Sequence, residues 1–138
     1  MQALENLVKI GQLKTEPPRS DEVTRMLAMA HTRLADALMK GVSLEGRFTS
    51  AYNAAHVAAL AALRLYGFRS ENRFTVFQCL SHTIAWPAHK WRVLDLAHQK
   101  RNLAEYEGYL EVEESGLEEL INITRELIDQ VSRQSRPK

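Results

Sequence analysis

Apolar residues recur at helical spacing over most of this chain, and no stretch alternates in the manner of a strand. Leu4, Leu7 and Val8 form one stripe of a short helix over residues 3–13. Thr15-Glu16-Pro17-Pro18-Arg19 ends it, because proline lacks the amide donor and restricts its predecessor. Ser20 is the expected N-cap of the next helix, with Asp21 and Glu22 placed where the helix dipole favours negative charge. Val23, Met26, Leu27, Ala30, Leu34, Ala37 and Leu38 then repeat until Gly41.

A third helix is predicted over residues 44–66. It carries Ala51, Ala54, Ala55, Ala58, Ala59, Ala61 and Ala62. Alanine is the best helix former, and small side chains on several faces let neighbours approach closely, so this reads as the central helix. Gly67 closes it, and residues 69–72 form a polar turn. A fourth helix over 73–85 turns Phe74, Phe77, Leu80 and Ile84 inward, up to a boundary at Trp86-Pro87. A fifth runs over 88–107 and ends at Gly108. An acidic loop then leads to Ser115-Gly116-Leu117-Glu118, a capping-box pattern. The last helix follows, with Leu117, Leu120, Ile121, Leu127, Ile128 and Val131 on one face. The pattern predicts one all-α domain over residues 1–138, an up-and-down bundle of five to six helices, frayed after about residue 133.

Composition changes this picture little. The 138 residues suffice for one core, and 45% hydrophobic with 25% charged residues is ordinary for a globular protein. A net charge of +1 gives no global basic field, so any anion site must be local. Glu5 and Lys9 interrupt the first turns, so no signal peptide is expected there. The most apolar stretch, residues 54–63, contains His56 and is too short to span a bilayer. A cytoplasmic protein with no membrane partner is expected.

Several chemistries lack their residues. Cys79 is the only cysteine, which excludes an internal disulfide and a Cys-rich zinc site, and its apolar neighbours mark a small buried hydrophobe. No two of His31, His56, His82, His89 and His98 stand four residues apart, and no HExxH occurs, so no metal or cofactor is expected. His56 among alanines reads as a core histidine. Gly-x-Ser-x-Gly, P-loop and dinucleotide patterns are missing. The aromatics form no obvious base-stacking platform, and Tyr52, Tyr66, Trp86 and Trp91 are expected to pack.

One arc of the fifth helix concentrates polar chemistry. With Arg101 at 0°, Glu105 lies at about 40°, His98 at about 60°, Asn102 at about 100° and Tyr106 at about 140°. Val93, Leu96, Leu103 and Ala104 fall on the other side, the apolar face of an ordinary surface helix. Arginine suits phosphate, and asparagine can orient a neighbour. An added acid or base would complete a metal-independent ribonuclease that activates a ribose 2′-hydroxyl.

Here the sequence resembles the HEPN superfamily of α-helical bundles. Its ribonucleases carry Arg, commonly followed by Asn, His or Asp, then four to six residues, then His. Arg101-Asn102 fits the start of that motif. Residues 10–14, 47–55, 62–69 and 101–106 together resemble a small bacterial HEPN subgroup, and the likeness covers most of residues 7–110. The departure lies at Tyr106, where the motif expects histidine. A tyrosine side chain ordinarily holds its proton to about pH 10, a histidine to about 6.5. His98, one turn before Arg101, could substitute.

Three functions follow. The first is a non-catalytic HEPN-like module that uses Arg101, Asn102, Glu105 and Tyr106 to bind RNA, a nucleotide or a protein. The resemblance implies a homodimer, a nucleotidyltransferase-like partner, or a place in a toxin–antitoxin or defence system. The second is a metal-independent endoribonuclease whose proton-transfer group is Tyr106 or His98. The third is structural, with Arg101 paired to Glu105 or to a carboxylate on another helix.

Overall fold

The computed structural model describes residues 1–135. The chain is an all-α bundle. Its helices are α1 (Gln2–Lys9), α2 (Ser20–Ala37), α3 (Leu44–Leu65), α4 (Arg73–Gln78), α5 (Leu80–Thr83), α6 (Ala88–Glu107) and α7 (Glu114–Ser135). α4 and α5 divide the single helix expected over 73–85. Among the described residues the only strands are a two-residue pair, β1 (Lys14–Thr15) and β2 (Phe68–Arg69), antiparallel with Lys14 opposite Arg69.

α3 is the axis. The Ser43 side chain accepts from the Gly46 amide at 3.0 Å and caps it. All seven of its named alanines are fully buried, because α2 and α7 pack along one flank while α4, α5 and α6 cover the other. Gly67 ends it in the left-handed region at φ +85°. α7 buries the six apolar residues expected of it.

An internal ion-pair network ties the Pro17-Pro18 segment to the end of α3. Arg64 is fully buried. Its Nε donates to Glu22 at 2.6 Å, and its Nη atoms donate to the carbonyls of Glu16 and Pro17 at 2.9 Å. Arg69 bridges the same two carboxylates, at 3.0 Å to Glu16 and 2.6 Å to Glu22. Burial of this guanidinium is tolerated because both charge and donors are met.

Several boundaries differ from the sequence reading. α2 begins on Ser20 itself, with Arg19 at the cap position and no side-chain cap. α2 stops at Ala37, leaving Leu38 exposed. α7 starts at Glu114, which puts Ser115 inside the helix rather than at the head of a capping box. It runs to Ser135, and the rest of the expected tail lies outside the described residues. Phe74 is 43% exposed, not inward.

Candidate functional site

The site forms where α6 crosses α3 and α4. The face α6 turns inward is the polar one. Leu94, Asp95 and Ala97 are buried, and His98 and Arg101 are half-buried beside them. Leu96 and Leu103, expected to face the core, are 62% and 55% exposed. The helix is thus rotated by roughly half a turn from its apolar reading, because partners on other elements satisfy its polar groups.

Tyr52 of α3 is the hub. Its hydroxyl lies 2.9 Å from Nδ1 of His98 and accepts from Nη1 of Arg73 at 2.9 Å. Nε2 of His98 lies 3.2 Å from the Asn102 side-chain nitrogen. Turning the Asn102 amide over satisfies every group: Tyr52 then donates to Nδ1, and Nε2–H donates to the amide oxygen. In either orientation both ring nitrogens are engaged. Burial draws the His98 pKa below the ordinary imidazole range; Asp95 opposes this, and Arg73 and Arg101 add to it.

Two guanidiniums converge on the Tyr52 ring. Arg73 lies 5.4 Å and Arg101 5.3 Å from its centroid. Among the described residues no carboxylate pairs with Arg73, and Arg101 meets only the exposed Glu105 at 3.6 Å. That pair stays within α6, so it does not brace the bundle. The contrast with Arg64 and Arg69 is direct, since those two are held by shared carboxylates at 2.6–3.1 Å. A groove of about 240 Å³ opens beside Arg101, lined in part by Thr49, Glu105 and Tyr109.

His56 stands one turn beyond Tyr52 on α3 and meets the edge of Phe77 at 6.1 Å. Burial, with Arg73 and His98 nearby, lowers its pKa to about 4, so it is neutral near pH 7, although it is half-buried rather than the core histidine expected. Cys79 is likewise an inert core residue, its thiol pushed up to about 11 by burial. Among the described residues no three His, Cys, Asp or Glu side chains could hold a metal ion. No helix described here is long and apolar enough to cross a membrane.

The structure therefore brings Arg101, Asn102 and His98 together and leaves Tyr106 apart. Tyr106 is 91% exposed and touches none of the network. Glu105 joins only as the loose partner of Arg101. The sequence reading missed Arg73 and the polar role of Tyr52. An arginine at the first position of a helix and a tyrosine among alanines carry no local sign that they meet. No family model, curated protein or solved structure matches this chain.

Proposed function

We propose that the protein is a non-catalytic, HEPN-like helical module that binds the phosphates of RNA through Arg73 and Arg101. The observation that carries this reading is the pair of under-neutralised guanidiniums at one aromatic ring. Planar guanidiniums suit phosphate oxygens, and a phosphate would supply the paired negative charge that Arg73 lacks among the described residues and that Arg101 finds only in the exposed Glu105. Asn102 positions His98 and adds a polar edge. The fitting setting is a bacterial toxin–antitoxin or defence system, with a second copy or a nucleotidyltransferase-like protein as partner. Fluorescence anisotropy of labelled single-stranded RNA tests the reading. Arg101→Ala and Arg73→Ala should each weaken binding while the fold persists; undiminished binding by both would refute it.

A neutral histidine between two arginines favours a second reading, metal-independent cleavage. His98 would take the 2′-hydroxyl proton, the 2′-oxygen would attack phosphorus as the bond to the 5′-oxygen breaks, giving a 2′,3′-cyclic phosphate and a 5′-hydroxyl protonated by solvent water, and Arg101 would neutralise the phosphoryl oxygens. The hydrogen bonds on both ring nitrogens argue against it, since no lone pair is free without rearrangement. RNA cleavage in EDTA that His98→Ala abolishes would establish this second reading over the first.

A further inference from the structure

Beyond the cation pair, α6 and α4 together expose a second feature. Phe74, the neighbour of Arg73, packs edge to face on Trp91 with centroids 6.3 Å apart. Phe74 is 43% exposed, and Trp91 is half-buried. The Arg92 guanidinium lies 5.6 Å from the Trp91 ring centre. Trp86 differs, being buried with its indole N–H bonded to Gln130 at 2.6 Å. Trp91 precedes His98 by seven residues, two turns of one helix face, or about 10 Å. Such a distance fits neighbouring subsites on one strand of nucleic acid.

We propose that the exposed Phe74–Trp91 pair, with Arg92 beside it, is a nucleobase-stacking subsite for single-stranded RNA whose phosphates lie on Arg73 and Arg101. It rests on the phosphate-binding reading above. Aromatic faces accept any base, and a flanking arginine adds cation–π and phosphate contacts. Charge placement sets the order of the ligand. Asp95, buried between Trp91 and His98 and bonded to Gln99 at 2.8 Å, repels phosphate from that stretch. A neutral base is tolerated there, so the base lies toward Trp91 and the backbone toward the two arginines.

The test compares a labelled single-stranded oligoadenylate octamer with an abasic ribose-phosphate octamer of equal length. Trp91→Leu and, separately, the more exposed Phe74→Leu should weaken oligoadenylate binding on the order of tenfold. Both should leave abasic binding unchanged. Oligoadenylate should also quench tryptophan emission in the native protein but not in Trp91→Phe, where only the buried Trp86 remains. Equal loss on both octamers, or no loss on either, overturns the subsite. If the abasic octamer binds with dependence on Arg101 while the aromatic variants bind oligoadenylate normally, only the subsite fails. If neither octamer binds the native protein, the phosphate reading fails with it. A native dimer that Trp91→Leu dissociates, with RNA binding intact, assigns the pair to a protein contact instead and overturns the proposal.

Discussion

The Tyr52 hydroxyl lies 2.9 Å from Nδ1 of His98, joining residues 46 positions apart on α3 and α6. Tyr52 is 1% exposed, so the most buried part of the bundle fixes a ring at the rim of the candidate site. The same hydroxyl accepts from Arg73. One oxygen thus sets the positions of a neutral imidazole and a cation at once.

Tyr52→Phe should keep the ring packing and lose both hydrogen bonds. Leaving an arginine donor and an imidazole nitrogen short of partners should cost about 1–3 kcal/mol. Urea denaturation measures this, and RNA affinity should fall in parallel because Arg73 loses its anchor.

Arg64→Ala should destabilise the fold far more than Arg101→Ala. Arg64 is fully buried between Glu16 and Glu22, and its removal leaves the Glu16 and Pro17 carbonyls without their donor and both carboxylates with Arg69 alone. The expected cost is about 3–5 kcal/mol. The Arg101–Glu105 pair is largely exposed on the glutamate side, and its loss should cost about 0.3–0.5 kcal/mol. Thermal denaturation of the two variants separates a structural arginine from a binding one.

Stability should fall with acid in two stages. His56 is held down to about 4 by burial, and His98 is drawn down in the same direction. Unfolded imidazoles take protons below about pH 6.5, so from there down to about 4 the unfolded state binds more protons. Stability is therefore complete above pH 6.5 and lost progressively below it. About 2 kcal/mol should go between pH 6.5 and 4.5, and His56→Gln should remove most of that slope. Glu22, held below the ordinary carboxylate range by its hydrogen bond from Arg64, adds a separate loss below about pH 4.5. Chemical denaturation across pH checks both stages.

Tyr106→Phe should change nothing measurable. The side chain is 91% exposed and makes no contact with the His98 network. Stability should stay within about 0.5 kcal/mol of the native value, and RNA binding should be unchanged. Reduced binding would show that the motif's last position still belongs to the site.

The fold was legible where one signal dominated. Seven alanines marked α3 as central, and the six apolar residues of α7 marked its buried face. The rotation of α6 was not legible. Its sequence alone favours burying Leu96 and Leu103, and only Tyr52 and Arg73, distant in sequence, make the His98 side the better one to bury. Arg64 was hidden for the same reason, since a buried arginine is acceptable only once Glu16, Glu22 and two carbonyls are known to surround it. The β1–β2 pair is two residues long, too short for alternation to register. Arg101, Asn102 and His98 were found from helical spacing, while Tyr106 shared their arc but lay too far round it to join them.

The salt dependence of RNA binding tests the central claim most directly. Binding of labelled single-stranded RNA should weaken linearly in log–log form as potassium chloride rises, because each neutralised phosphate releases counterions. Replacing Arg73 and Arg101 together by alanine should make that slope shallower by about 1.4, or about 0.7 per phosphate contact, and lower affinity at every salt concentration. A folded double variant with the native slope and affinity would contradict the account and return both arginines to a structural role.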